Sequence, residues 1–143
     1  MAITQTLTTS FKKELFEAVH NFTSHTIKIA LYDSTATLNA DTTTYSDGLT
    51  GQVLNDAPGY TTGGNTLTKV APTSSGTTAF IDFSDTTWTT STFTARGALI
   101  YNSSASNKTI AVLDFGSDKT TSNSTFTVTF PAGDSTNAIV RIE

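Results

Sequence analysis

The stretch "ARGALIYNSSASNKTIAVLDF" (residues 95–115) has the pattern of a β-hairpin. Two strand-like runs, 97–103 and 108–115, lie on either side of the small polar segment "SSASN". A five-residue connection of this composition is typical of the loop between two antiparallel strands. The sequence therefore predicts a hairpin whose turn is centred on Ala105.

The same hairpin predicts a role for Arg96, because the predicted register gives it a charged partner. Centring the turn on Ala105 places Ile100 opposite Ile110 and Arg96 opposite Asp114. Opposite charges facing each other across a strand pair stabilise it, and a one-residue slip would turn apolar side chains to the wrong face. We therefore favour an ion pair between Arg96 and Asp114 that fixes the strand register, over a binding role for Arg96 or plain solvation.

Outside the hairpin, apolar residues alternate in short segments, as in "TIKIALY" (26–32). Residues 33–65 are rich in Gly, Asp, Asn and Thr, which predicts a long ordered loop. Further strands are expected at 66–71, 77–83, 86–95, 125–130 and 138–142. Short strands at close spacing predict a mainly β protein, an antiparallel β-sandwich of jelly-roll or immunoglobulin-like type.

One amphipathic helix is predicted near the N-terminus, in "SFKKELFEAVHNF" (10–22), with Ser10 as its N-cap. At 100° per residue a stripe of apolar side chains falls on one face of this helix. The stripe consists of Phe11, Leu15, Ala18, Val19 and Phe22. Two interpretations stay open, namely that the stripe packs on the sheet or that it contacts another subunit.

The length of 143 residues fits one domain. The polar segment 1–9 is expected to form an extended N-terminal arm, and residues 10–143 a single β-sandwich domain. The arm and the loop at 33–65 are the expected docking devices. Residues 79–95 also resemble residues 111–128, which indicates either two equivalent strand–loop–strand units or a chance match among Thr and Ser.

The composition argues against several classes of function. The net charge is −4 with only 14% charged residues, so no basic patch is available for nucleic acid. There is no cysteine, no apolar run long enough for a membrane span, and no recognisable catalytic, phosphate-binding or metal-binding motif. The two histidines, His20 and His25, are expected to be structural. We expect neither an enzyme nor a cofactor or metal ion, and neither nucleic acid nor membrane as a partner.

Exposed aromatic residues remain the best candidates for binding. The possible interaction surface comprises Phe11, Leu15, Tyr45, Tyr60 and Trp88. On a β-sandwich, Tyr60, Trp88 and Tyr101 could form a platform that stacks against sugars, but a single Trp in a β protein more often lies in the core or at its rim.

Three stretches resemble small virion-associated proteins of tailed phages that infect aquatic bacteria. They are "HTIKIALYDSTATLNADTTTYS" (25–46), "GGNTLTKVAPTSSGTTAFIDFSDTTW" (63–88) and "FTARGALIYNSSASNKTIAVLDFGSDKT" (93–120). The resemblance extends from about residue 8 to the C-terminus and carries no catalytic motif. It implies a structural protein of the virion, made in the cytoplasm of the bacterial host.

The resemblance implies a protein that assembles in many copies, either as a capsid decoration or cement protein or as a component of the tail or neck. Its expected partners are the major capsid or tail proteins and further copies of itself. The alternative is a glycan- or receptor-binding β-sandwich module of a phage tail.

Overall fold

The computed structural model describes residues 2–143, and within them the chain forms two antiparallel sheets and one α-helix. The predicted mainly β, antiparallel sandwich with an N-terminal helix is confirmed. The elements are β1 (Thr6–Leu7), α1 (Thr9–Phe16), β2 (Ile27–Tyr32), β3 (Asn65–Thr66), β4 (Lys69–Ser75), β5 (Thr78–Phe83), β6 (Thr86–Asn102), β7 (Lys108–Val128) and β8 (Val140–Ile142).

The central element is the hairpin of β6 and β7, in a five-stranded sheet of order β1-β7-β6-β2-β3. The predicted five-residue turn is confirmed: a 3₁₀ turn at Ser103–Ala105 is followed by Ser106 and Asn107 in the left-handed region. Each strand is much longer than predicted, since β6 has 17 residues and β7 has 21. The separate strands expected on each side of Arg96 are therefore continuous, joined through bulges instead of loops.

The apparent repeat does not correspond to two equivalent structural units. Residues 79–95 cover most of β5 and part of β6, which lie in different sheets, whereas residues 111–128 lie within the single strand β7. The similarity follows from Thr, Ser and aromatic residues alternating on half-buried strands.

The second sheet has three strands in the order β4-β5-β8 and packs on one face of the five-stranded sheet. Their shared core contains Ile29, Ile100 and Ile110 from the larger sheet, with Ile81 and Val140 from the smaller one. Alternate apolar positions on each strand supply this core, as the period-two pattern predicts.

The opposite face of the five-stranded sheet is also buried, by the segment between β2 and β3. There Tyr32, Leu99 and Tyr101 lie in a second apolar cluster with Leu38 and Tyr45 from the loop. Residues 97–102 of β6 are consequently buried on both faces. The long loop predicted at 33–65 is thus a third structural layer of the domain, with its inner side chains committed to the protein's own core.

The N-terminal segment is part of the fold instead of a free docking arm. Thr6 and Leu7 pair with Val112 and Ala111 of β7, and Ile3 is buried with only 8% of its surface exposed. The sequence predicted a free arm because Ile3 is an isolated apolar residue in a polar stretch and gives no periodic signal. Met1, the first residue of the predicted arm, lies outside the described residues.

The helix is shorter than predicted and begins earlier. Thr8 is the N-cap instead of Ser10, since its Oγ1 accepts a hydrogen bond from the N–H of Phe11 at 3.4 Å. The helix ends at Phe16, because Ala18 adopts a left-handed conformation (φ 56°) and the Val19 N–H returns to the Glu14 carbonyl at 3.1 Å. Three residues of the predicted stripe, Ala18, Val19 and Phe22, therefore lie beyond the end of the helix.

Candidate interaction surface

The predicted ion pair is present: Nε of Arg96 donates to Oδ1 of Asp114 at 2.9 Å. Both side chains are about one-third to one-quarter exposed, at 33% and 25%. The predicted register is nevertheless wrong, because the backbone partner of Asp114 is Gly97 and that of Ile100 is Ala111.

The one-residue difference arises near the turn. Tyr101 pairs with Thr109 and Ile100 with Ala111, which leaves Ile110 as an extra residue in β7. The carbonyl of Ile110 accepts a hydrogen bond from the N–H of Thr8 at 3.0 Å, so the N-terminal segment satisfies the bulged backbone. The symmetric turn assumed in the sequence prediction could not include this bulge.

A second, larger bulge lies directly at the ion pair. Ala95 pairs with Lys119 and Gly97 with Asp114, so residues 115–118 of β7 lie opposite Arg96 alone. Oδ1 of Asp114 also accepts the N–H of Gly116 at 2.9 Å, and Gly116 has a φ of +77° that favours glycine. Asp114 therefore anchors this bulge as well as binding Arg96.

The electrostatics at the bulge favour the ionised pair. The hydrogen bond from Arg96, followed by that from the Gly116 N–H, lowers the pKa of Asp114 below its ordinary value. The hydrogen bond to Asp114 likewise raises the pKa of the Arg96 guanidinium. The pair thus has a structural role, and its charges already satisfy each other.

The residues proposed as an interaction surface lie largely inside the domain, so this prediction is corrected. Phe11, Tyr45, Tyr60 and Trp88 are all at most 8% exposed, and Leu15 is half-buried against the core. The four aromatic residues belong to apolar clusters inside the domain, and Leu15 packs against one of them. In the sequence these residues stand beside polar segments, which is why they were expected to be accessible.

The stacking platform expected at Tyr60 and Trp88 is an internal aromatic cluster. The two rings stack with centroids 5.9 Å apart, and Phe93 and Phe126 pack edgewise on Trp88. The hydroxyl of Tyr60 accepts the N–H of Leu31 at 2.9 Å, which holds the ring inside. These rings are therefore not available to stack against a sugar.

Tyr45 has a similar internal role in the loop layer. Its ring stacks on Tyr101 with centroids 4.2 Å apart, and its hydroxyl donates to Oδ1 of Asp47 at 2.7 Å. Burial, together with the acceptor Asp47, raises the pKa of Tyr45 to about 12. Tyr45 stays protonated at neutral pH and fixes the loop over the sheet.

A buried polar cluster, which the sequence analysis did not find, joins helix α1 to the hairpin. Glu14 is 5% exposed and accepts hydrogen bonds from Lys108 Nζ at 2.8 Å and His20 Nε2 at 2.7 Å. Burial raises the pKa of Glu14, but the hydrogen bonds from Lys108 and His20 outweigh it and the net shift is downward. Glu14 therefore stays ionised and holds both elements together.

The histidines belong to the same structural network. Nδ1 of His20 and Nδ1 of His25 lie 3.1 and 2.9 Å from the side-chain amide nitrogen of Asn102. The second nitrogen of His20 contacts Glu14, so both ring nitrogens of this residue are occupied. Both contacts of His20 are to side chains of the domain itself.

Near the helix, two apolar features are exposed to solvent: the side chain of Phe16 and a groove beside segment 18–23. Phe16, at the end of α1, is 93% exposed. A groove of about 430 Å³ opens between the segment 18–23 and the three-stranded sheet, lined by Phe22, Phe80, Val140 and Ile142 among others. The sequence pattern did not single out Phe16, because the predicted stripe lay on the other side of the helix.

The most extensive open backbone is the outer edge of β7. On this side of β7 only Ala111 and Val112 pair with a strand, β1, so from Phe115 to Val128 the edge has no strand partner within residues 2–143. A pocket of about 370 Å³ lies beside this edge, lined by Phe115, Phe126 and Val128 with Lys119 and two threonines. We call residues 115–128 the β7 edge.

The described residues contain no group of three or more His, Asp or Glu side chains placed to hold a metal ion. No helix in the same part of the chain is long and apolar enough to cross a membrane. Comparisons of the chain with known protein families, curated proteins and solved structures find no match.

Proposed function

We propose that the chain is a structural protein of a tailed-phage virion, assembled in many copies as a capsid decoration or cement protein or as a component of the tail or neck. The observation that carries this proposal is the β7 edge, a long unpaired strand beside an apolar pocket. Open strand edges are backbone templates for pairing with another chain.

The construction of the domain supports an assembly role. A central sheet covered on both faces, by the smaller sheet and by the loop layer, gives a rigid unit in which the binding surfaces are fixed. Threonine and serine dominate the exposed positions of β7, and after Lys119 its exposed side chains are hydrated without carrying charge. Such a surface suits close packing among many copies.

The proposed role is structural and not enzymatic, with other virion proteins and copies of the same chain as partners. The ionisable side chains at the two best-defined polar sites already bind one another: Arg96 binds Asp114, and Glu14 binds Lys108 and His20. The glycan-binding alternative loses the residues that suggested it, because Tyr60 and Trp88 stack inside the core.

Quantitative mass spectrometry of purified particles tests the proposal. Particles of the phage that encodes this chain are separated from lysate on a density gradient, and the ratio of this chain to the major capsid protein is measured. A non-virion protein of the same phage serves as the control for contamination. We expect many copies in a fixed ratio to the capsid protein. Depletion to the level of the non-virion control would refute a structural role.

A further inference from the structure

We propose that two copies of this chain pair through the β7 edge, antiparallel about a two-fold axis at Phe126, and join their five-stranded sheets into one. The pairing rests on the proposed assembly role and identifies the surface and the partner that would serve it. The occupant of the edge is a second copy of the same strand.

The other strand edges of the described domain are covered or carry features that discourage pairing. Residues 86–96 of β6 have no strand partner on the side of β2, but the loop covers this edge, since the N–H of Thr92 bonds to the carbonyl of Pro58 at 2.9 Å and the Asn65 side chain bonds to the carbonyl of Thr87 at 2.9 Å. β1 and β3 have two residues each and β8 has three. β4 is longer but contains Pro72, which has no N–H to donate, and its register shifts at that point. Short edges and edge prolines are the usual protection against unwanted pairing. The β7 edge has neither, and its own bulge at 115–118 and Lys119 lie outside segment 124–128.

Within the β7 edge, segment 124–128 has no residue with a positive φ, and the register shift opposite it comes from an extra residue in β6 between Trp88 and Ser91. Asn123, with a φ of 45°, interrupts the strand on one side, where its N–H turns to Thr92 Oγ1 at 2.8 Å. On the other side the strand ends at Val128, and the N–H of Phe130 bonds to Asp85. Phe126 is the midpoint of the segment between these limits, so pairing centred there uses all of it on both copies.

The charge pattern favours a second copy as the partner. The chain has a net charge of −4, yet residues 120–133 contain no charged side chain. Pairing centred on Phe126 places exposed Thr125 of one copy opposite exposed Thr127 of the other, twice. Threonine pairs across strands are favourable, and no like charges meet in the ladder. Charge that would oppose association elsewhere is absent from the part of the edge that pairs, residues 124–128.

The pocket beside the edge gives the pairing an apolar component. Phe126 and Val128 are buried on the inner face, and with Phe115 they line a pocket to which, of the strands, only β7 contributes. A second copy added at this edge brings its own Phe126 and Val128 on the same face, since a two-fold axis normal to the sheet preserves its faces. The two pockets then close against each other.

Sedimentation analysis of the purified full-length chain tests this pairing. The disrupting variant combines Thr125→Lys with Thr127→Lys, which sets lysine against lysine in both cross-strand pairs. The compensating variant combines Thr125→Glu with Thr127→Lys, which sets glutamate against lysine in both. The matched control combines Thr87→Lys with Thr89→Lys, two exposed threonines on the neighbouring strand β6.

We expect a reversible dimer whose dissociation constant rises by at least about tenfold in the disrupting variant. The compensating variant and the β6 control should dimerise as the original chain does. A chain that stays monomeric, or a dimer insensitive to the two lysines, would overturn the pairing. Failure of the compensating variant to dimerise would overturn the register about Phe126. Because this test uses the purified chain alone, its failure leaves the particle measurement as a separate test of the proposed function.

Discussion

Nε of Arg96 donates to Oδ1 of Asp114 over 2.9 Å, although the backbone of Asp114 pairs with Gly97. The same carboxylate oxygen accepts the N–H of Gly116, also at 2.9 Å. A single carboxylate therefore binds the arginine of β6 and the turn of the bulge in β7. The contact stabilises an irregularity between two strands, whereas the sequence suggested a regular ladder.

Replacing Asp114 by Asn should loosen the bulge while leaving the fold intact. The neutral amide is a weaker acceptor for Arg96 and Gly116, so hydrogen exchange at the Gly116 N–H should accelerate. Hydrogen exchange followed by NMR measures this residue by residue. Asp118→Asn, at an exposed position of the same bulge, is the control and should leave the Gly116 rate unchanged.

The same contact should contribute to the acid sensitivity of the protein. Arg96 and the Gly116 N–H lower the pKa of Asp114 in the folded state. Stabilisation from a lowered pKa is present above the ordinary carboxyl pKa of about 4 and is lost as pH falls through the folded value. The stability gap between the original chain and Asp114→Asn should therefore narrow below about pH 4 in denaturant titrations. A gap independent of pH would contradict the ion pair.

Removing the Glu14 carboxylate should destabilise the junction of helix and hairpin. Glu14→Ala leaves Lys108 and His20 without their acceptor, and we expect a loss of about 1–3 kcal/mol in the free energy of unfolding. Glu17→Ala is the matched control at the C-cap of the same helix, because Glu17 forms an exposed pair with Lys13 at 3.1 Å. Its cost should stay below about 1 kcal/mol. Equal effects from the two changes would show that Glu14 is not a buried anchor.

Truncation of the Ile3 side chain should show that the N-terminal segment belongs to the core. Ile3 is 8% exposed and packs with Leu99 and Val112 on the second face of the large sheet. Ile3→Ala should therefore lower the free energy of unfolding by about 2 kcal/mol or more, measured by denaturant unfolding. An unchanged midpoint would restore the interpretation of residues 1–9 as a free arm.

Two phenylalanines of the helix should respond in opposite ways. Phe11 is fully buried and packs edgewise on Phe22 with centroids 6.0 Å apart, whereas Phe16 is 93% exposed. Phe11→Ala should cost about 3–5 kcal/mol, and Phe16→Ala should change stability by less than about 0.5 kcal/mol. Thermal or denaturant unfolding of both variants measures the difference. Similar losses would mean that Phe16 also packs within the domain.

The sequence predicted the features that depend on local patterns. The turn at 103–107 follows from a short polar connection, and the strand faces follow from alternating apolar residues. The Arg96–Asp114 contact was also predicted correctly although the predicted register was wrong by one residue, because the long side chain of Arg96 can reach Asp114 in either register.

The features that the sequence did not predict depend on contacts between residues far apart in the chain. The bulge at Ile110 is satisfied by Thr8, which lies more than a hundred residues earlier in the chain. Tyr45 stands in a polar loop with no periodicity, yet its ring covers Tyr101 on the large sheet. Neither contact leaves a local sequence signal, so binding was assigned to aromatic residues that are in fact part of the core.

A cryo-electron microscopy reconstruction of the phage particle in which we propose that the chain is assembled tests the central claim most directly, since it shows both the presence of the domain and its contacts. The account predicts that this domain fits the density in many symmetry-related copies, with segment 124–128 of the β7 edge paired to the same segment of a neighbouring copy. A particle whose complete protein density contains no copy of the domain would contradict the proposed virion role.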